Sequence, residues 1–433
     1  MAAGSHILKT FSLATTLRAV RLGLSFLLTC ALARYLGGAG FGQIAVAMAV
    51  VSVLQSVGEL GFARYTVREL MRQGADQPAV LGLTITSRFI VSATLFAGLI
   101  VWVAWRRPEG ALLLLVYGIQ LLTNPATEIL AWLESHGRVS QSVIAQFAGF
   151  IVSAACIAAG IGCRAPLWFF ALTYALEGWV FLSLCAFAFR RSGGSIRWGG
   201  FGFSRAIALV SRSWPELASQ AALILLFRLD TMMIEWLCGA QEAGIYGAAV
   251  RVSEMAYFMP SILATLFLPR LMRDRQDSAA CFEKSVVDYF STSVMLALAV
   301  GAGLLLLSPW MSLAFGAAFG RSAEMLRVHA WAFIPYAIGI ARTQILTVED
   351  RLAANLPSVI VAVAVNACLN MLWIPVHGGV GAAWATLVSY TLAWVVWTYL
   401  SPWLRLNVSG LLTRAFMGLP RFTLLRMRSL LHP

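Results

Sequence analysis

Long apolar runs separated by short polar breaks make up nearly the whole chain. A helix that crosses a bilayer needs about 20 largely apolar residues. Twelve runs satisfy this: residues 11–36, 41–62, 80–105, 111–133, 143–162 and 166–189 in the first half, and 214–237, 246–269, 286–307, 326–346, 356–375 and 380–404 in the second. No soluble domain fits between them. The pattern predicts an all-α integral membrane protein of about twelve transmembrane helices. The first run leads straight into others, so it reads as a membrane helix and not as a cleaved signal.

The longest mid-chain break begins at Arg190-Arg191-Ser192-Gly193-Gly194-Ser195 and holds a second Gly pair, a composition that suits a flexible linker. It divides the chain into an N-terminal six-helix lobe (1–189), a cytoplasmic linker (190–206), a C-terminal six-helix lobe (207–404) and a basic tail (405–433). The halves echo each other. Leu36-Gly37-Gly38-Ala39-Gly40-Phe41-Gly42 closes the first span and opens the second. Leu237-Cys238-Gly239-Ala240-Gln241-Glu242-Ala243-Gly244 sits at the matching place about 201 residues on, with one insertion. A repeated six-helix unit predicts two bundles around a central cavity, as in alternating-access carriers, both with the same orientation.

Composition agrees with a lipid solvent. Of the 433 residues 60% are hydrophobic and 12% charged, against about 25% charged in soluble domains. Mean hydropathy is +0.79. The net charge of +13 would suit nucleic acid if it were clustered. It is spread through short loops instead, as topology charges are, so no nucleic-acid partner is expected. With the N-terminus inside, 19 basic residues fall on inside segments and 5 on outside loops, Arg34, Arg106, Arg107, Arg164 and Arg321. Both termini are therefore expected in the cytoplasm. The tail beyond Arg405 mixes Arg with Leu and Phe and reads as an interfacial basic helix on anionic lipid. The seven Cys lack CxxC spacing and read as small buried hydrophobes. No HExxH, Walker, GxSxG or paired-carboxylate motif is present, so neither catalytic residues, a metal nor a cofactor are expected.

Charges at membrane depth cost about 2.5–3.5 kcal/mol each on the insertion scale and call for a reason. The first span carries Arg18 and Arg21 on one face, extended by Ser25 and Thr29; such a stripe should face a wet cavity. The second carries Ser52, Gln55, Ser56 and Glu59, the third Arg88, and the fourth Glu128 just after Pro125. The seventh opens with Arg212 and Glu216, one turn apart and able to pair at the interface, and later holds Arg228 and Asp230 on different faces. The eighth holds Arg251 and Glu254 at i, i+3, which read either as a structural ion pair or as ligand contacts. Arg18 reads as a cavity residue or as a snorkelling one. An Arg wall suits an anionic ligand held by charge-assisted hydrogen bonds. A cation exporter would want acidic groups there.

Three stretches resemble the polysaccharide-biosynthesis flippases of the multidrug/oligosaccharidyl-lipid/polysaccharide exporter superfamily. They are Ala33-Arg34-Tyr35-Leu36-Gly37 followed by Phe41-Gly42 and Glu59-Leu60-Gly61; Arg228-Leu229-Asp230 followed by Gly244-Ile245-Tyr246-Gly247-Ala248-Ala249; and Asn366 and Asn370 followed by Ile374-Pro375 and Gly379-Val380-Gly381-Ala382-Ala383-Trp384-Ala385-Thr386. Their order resembles the family pattern from about residue 7 to 404, with Trp384 a departure where small residues are common. The resemblance implies a V-shaped, two-lobed alternating-access carrier in a bacterial inner membrane. It implies a polyprenyl-pyrophosphate-linked oligosaccharide as substrate and membrane lipid as partner, with room for contacts to other polysaccharide-assembly membrane proteins. It implies that Arg18, Arg21, Arg88 and Arg251 line the cavity; Glu59, Glu128, Arg228, Asp230 and Glu254, charges in or beside the spans, read as coupling or structural charges. A multidrug exporter of the same superfamily and a membrane glycosyltransferase or polymerase are the alternatives. Short outside loops speak against the last.

Overall fold

The computed structural model describes residues 2–72, 74, 76–198, 202–400, 410, 413 and 414; for residues 2–15 and 352 only the backbone is described. Most of the basic tail therefore lies outside the described residues. Among those described there is no strand. Sixteen α-helices run α1 Ala2–Gly58, α2 Ala63–Leu70, α3 Gln77–Arg106, α4 Ala111–Gly118, α5 Ala126–Ser135, α6 Val139–Gly162, α7 Leu167–Arg191, α8 Phe203–Cys238, α9 Ala240–Ala256, α10 Phe258–Asp277, α11 Ala279–Leu307, α12 Met311–Phe315, α13 Ser322–Val348, α14 Leu356–His377, α15 Gly379–Thr391 and α16 Trp397–Leu400.

Among the described residues each of the twelve apolar runs falls mainly on these helices, and nine helical segments are long and apolar enough to cross a membrane. The protein is a multi-pass membrane protein. One of the nine, Thr16–Gly58, takes in most of the first two runs. They are joined without a loop by a kink at Gly37 (φ 66°, ψ −177°). Gly239, between α8 and α9, has nearly the same backbone (φ 86°, ψ 171°). This region of backbone space is open essentially to glycine alone. The two matching sequence segments thus share one glycine conformation, with the inserted residue placed before Gly239.

The chain divides into two compact units, Met1–Met232 and Met233–Pro433; the boundary lies inside α8. In the first, Val51, Leu99, Val103, Leu114 and Leu121 from α1, α3 and α4 form one core cluster with the 3₁₀ turn after α4. In the second, Phe267, Leu271, Val286, Phe290, Ile338 and Ile345 bind α10, α11 and α13. Outward faces carry large apolar side chains such as Trp105 (78% exposed) and Leu306 (75%). Small polar residues lie at helix contacts instead: Ser142, Ser153, Ser253, Ser293, Asn366 and Ser389 are buried. That inversion is what a lipid solvent selects.

The described part of the segment expected to be a flexible linker is held against the first unit. Arg197 donates its backbone N–H to Pro78 O at 2.9 Å and pairs through its guanidinium with Asp76, the residue that caps α3. It crosses α3 at Gly82, where a Cβ would collide with the Arg197 carbonyl.

A second close approach is at the end of α1. Leu60 (φ 55°) and Gly61 (φ 66°) are both left-handed, and α8 docks on this turn: Ser213 Oγ donates to Leu60 O at 3.0 Å. A Cβ on Gly61 would lie 2.7 Å from Leu217 N and 2.8 Å from Ser213 O. Gly61→Ala is expected to destabilise the protein by about 2–4 kcal/mol through left-handed strain plus overpacking. Gly98→Ala, where a Cβ meets nothing within 4 Å, is the control. Thermal melts of the purified variants check this, and equal melting of Gly61→Ala and Gly98→Ala would refute it.

Candidate functional site

The run at 111–133 is one apolar stretch in sequence but a broken helix in the fold. After α4 the chain turns through a 3₁₀ segment, Ile119–Thr123, and Asn124-Pro125 before α5 begins. Proline removes a backbone donor, and although Asn124 before it keeps helical angles (φ −49°, ψ −37°) the α-helical ladder is interrupted. A break at membrane depth must be satisfied by protein groups. Local i→i+3 bonds do this, from Asn124 N–H to Leu121 O at 3.2 Å, Thr127 N–H to Asn124 O at 3.2 Å and Glu128 N–H to Pro125 O at 3.1 Å, while Asn124 Nδ2 ties the turn to its neighbours by donating to Gln55 O and to Ser92 Oγ, each at 3.1 Å. The helix ending at Gly58 comes so close that a Cβ there would sit 2.4 Å from Asn124 Nδ2.

On the first turn beyond the break, Glu128 meets Arg88 of α3. Arg88 Nε lies 2.6 Å from Glu128 Oε1, with the two side chains 2% and 1% exposed. Arg88 Nη1 donates to Thr127 Oγ1. Glu59, at the end of α1, is in electrostatic reach of both charges. Three residues singled out from separate spans thus come into electrostatic reach of one another, Arg88 and Glu128 buried and Glu59 half-buried. Arg88 was expected on an open Arg wall; here Glu128 and Thr127 enclose it. An ion sunk this far from solvent needs a counter-ion within contact.

Arg21 differs. Its Nη2 donates to Glu177 Oε1 of α7 at 2.7 Å, but the side chain is 39% exposed. Its guanidinium also lies over the Phe150 ring of α6, 5.6 Å from the centroid. Arg18 is exposed. Higher on the predicted stripe, Thr29 Oγ1 donates to Ser25 O at 2.7 Å, within its own helix. Glu177 escaped the sequence reading, although it is the one charged residue of the run at 166–189. Asn124 also escaped, although Asn-Pro inside an apolar run is a turn signal.

Arg212 and Glu216 do not pair as their spacing predicted. Glu216 Oε1 faces Arg64 Nε at 3.5 Å, because α2 packs beside the start of α8 and offers a cation from another element. Gly61, Arg64, Tyr65, Arg68, Arg212 and Glu216 border a cavity of about 320 Å³ there. Burial, and then the negative charge of Glu69, pushes the Tyr65 phenol up, against the nearby Arg68, Arg212 and Arg72.

On α8, Arg228 is half-buried and Asp230 buried, and on α9 Arg251 and Glu254 are half-buried. In the second unit, Arg342 of α13, not singled out from sequence, is fully buried. Its Nη1 donates to Ser358 Oγ at 3.2 Å and to Ala393 O at 3.1 Å, in the π-helical turn Leu392–Val396. Glu242 accepts from the Gly379 N–H at 2.9 Å and from Arg321 at 2.9 Å, joining three segments. Among the described residues no cluster of His, Cys, Asp and Glu could hold a metal ion.

Residues 7–274 match the family described as "Polysaccharide biosynthesis protein". Several solved structures are similar in fold. One is a multidrug resistance MATE family transporter of the MOP superfamily in an inward-facing conformation, at 15% identity, covering 92% of this chain and 98% of that one with a TM-score of 0.74. Another is the lipid II flippase MurJ in an inward closed conformation, at 12% identity, with coverage of 95% and 93% and a TM-score of 0.75. A third is a MOP superfamily transporter from Pyrococcus furiosus, described as having a binding pocket of reverse polarity, at 14% identity, with coverage of 93% and 94% and a TM-score of 0.59. At such identities the likeness is one of fold. No curated protein matches the sequence.

Proposed function

The chain belongs to the polysaccharide biosynthesis protein family, and on that footing we propose that it is a flippase. It moves a polyprenyl-pyrophosphate-linked oligosaccharide from the cytoplasmic to the outer leaflet of a bacterial inner membrane. The observation that carries this reading is Arg21. It is a guanidinium within a membrane span that keeps 39% of its side chain exposed while paired. An Arg that is only structural is expected to be enclosed, as Arg88 is. The planar fork of an accessible Arg matches a phosphate or pyrophosphate oxygen pair.

Arg18, one turn before Arg21, widens the same cationic face. Arg251 on α9 is proposed as a further contact to the anion. Arg88 enters this scheme only if transport releases it from Glu128, so its resting role is to hold α3 to α5. Glu59 and Glu128 form with Arg88 the charged cluster proposed to respond to the coupling step; Asp230, Arg228 and Glu254 are the corresponding candidates on α8 and α9. The lobes are proposed to be residues 1–189 and 207–404, joined through 190–206.

The test is export in a strain whose own oligosaccharide flippase is deleted. Restored surface glycan, lost again on Arg21→Ala, supports the proposal. Restored drug tolerance without glycan export would move the reading to a multidrug exporter.

The proposed orientation has its own check. The 19-to-5 charge distribution supports a cytoplasmic location for both termini. A reporter fused after the last residue should be cytoplasmic and one inserted beside Glu242 periplasmic. A periplasmic C-terminus would overturn the orientation.

A further inference from the structure

The first unit carries an apolar groove of about 610 Å³, bordered by α3, α5, α7 and the segment 194–198, within the size range of ligand pockets. Along α7 it is lined by Trp179, Leu182, Ala186, Phe189 and Arg190, with Phe89 and Trp198 closing the sides. These α7 positions share one helix face. The eleven steps from Trp179 to Arg190 rise about 16 Å, which is half of the ~30 Å hydrocarbon thickness. The groove therefore spans one leaflet. Arg190 stands at the end of the membrane-spanning segment Leu167–Arg191, where a headgroup would lie.

Its polar content is sparse and one-signed. Among the described residues no carboxylate borders the groove. Arg190 has no ionic or hydrogen-bonding partner for its guanidinium among the described residues. The indole N–H of Trp179 is buried with no acceptor. The roof over the headgroup end is built in place: Arg197 is pinned to Asp76 and Pro78, and Gly82 lets the chain cross α3. A cation at one end, an apolar trough of one-leaflet length and a fixed roof match one kind of molecule.

We propose that this groove is a binding site for one anionic phospholipid of the leaflet on the Arg190 side. One acyl chain lies along α7 and the phosphate sits on Arg190. A polyprenyl chain is far longer than one leaflet and would overrun the groove. A bound lipid would bridge α7 and the segment 194–198, and so stiffen the stretch that leads into α8. This inference rests on the chain spanning a membrane, and not on its being a flippase.

The test is native mass spectrometry of the purified full-length protein, released from detergent containing equal amounts of phosphatidylglycerol, phosphatidylcholine and a polyprenyl phosphate. The wild type should retain one phosphatidylglycerol in preference to the others. Arg190→Gln should cut its preference over phosphatidylcholine about fivefold, the share of one basic residue near an anionic surface. Ala186→Phe should empty the groove, with Ala186→Leu as the milder variant if the first does not melt like wild type. Phosphatidylglycerol retention unchanged in Arg190→Gln and in the well-folded Ala186 variant would overturn the proposal. So would retention of polyprenyl phosphate in its place. Glycan export plays no part in the readout, so failure here leaves the flippase reading standing, and the reverse.

Discussion

Arg88→Ala is expected to destabilise the protein by about 3–5 kcal/mol, the effect of removing one member of a buried ion pair. Arg88 and Glu128 are 2% and 1% exposed and 2.6 Å apart. Solvent therefore has no access to neutralise the carboxylate left behind, and Glu59 adds a second negative charge within reach. Folded proteins are stable by only about 5–15 kcal/mol, so the variant should melt far earlier and reach the membrane in reduced amount. Replacing both partners by apolar residues of similar volume, Arg88→Met with Glu128→Leu, removes the orphaned charge and should recover most of the loss. Thermal melts and membrane levels of the two singles and the double decide it. If Arg88→Ala melts with the wild type, the pair is not structural. The double also tests the sequence-based role of Arg88. Normal export with both charges gone would exclude Arg88 as a pyrophosphate ligand, whereas a stable but inactive double would retain it.

Arg21→Ala should behave in the opposite way, with near-normal protein level and export reduced by at least tenfold. Its bond to Glu177 is partly in solvent, 39% and 21% exposed, so screening leaves little stability to lose. A hydrogen bond to a charged group contributes about 1.5–3 kcal/mol, and each 1.4 kcal/mol is a factor of ten. Arg21→Lys should retain part of the activity, because charge survives and the bidentate fork does not. The companion variant Glu177→Ala separates the two roles open to Arg21. If the guanidinium serves only to pair with Glu177, both alanine variants should fail alike. If it serves the substrate, Glu177→Ala should export while Arg21→Ala does not. Glycan export normalised to membrane protein gives the answer, and equal loss in both would rule out the anion-binding role.

The charged residues flagged by hydropathy include both Arg88 and Glu128, because an ion inside an apolar run stands out by itself. Their partnership does not stand out. Arg88 and Glu128 are 40 positions apart, and Arg21 and Glu177 are 156 apart; nothing local says which acid an Arg will meet. Arg212 and Glu216 show the converse: helical spacing permitted a pair, but α2 brought Arg64 to Glu216 instead. The broken fourth span was half visible in Asn124-Pro125. That Asn124 would tie the break to Gln55 and Ser92 was not.

The residues at 190–198 mark the same limit. Gly and Ser content favours a free linker, since such residues set few conformational preferences. Asp76, Pro78 and Gly82 hold the stretch in place, and they lie more than 100 positions away. The existence and approximate place of the helices, and the glycine-rich junctions between them, follow from the chain alone, because hydropathy and backbone sterics act over a few neighbouring residues; that Gly37 joins two spans in one kinked helix does not. Whether a buried charge is enclosed like Arg88 or open like Arg21 depends on which helix faces meet. Only the folded arrangement decides that, because a counter-ion acts by distance in space and not by distance along the chain.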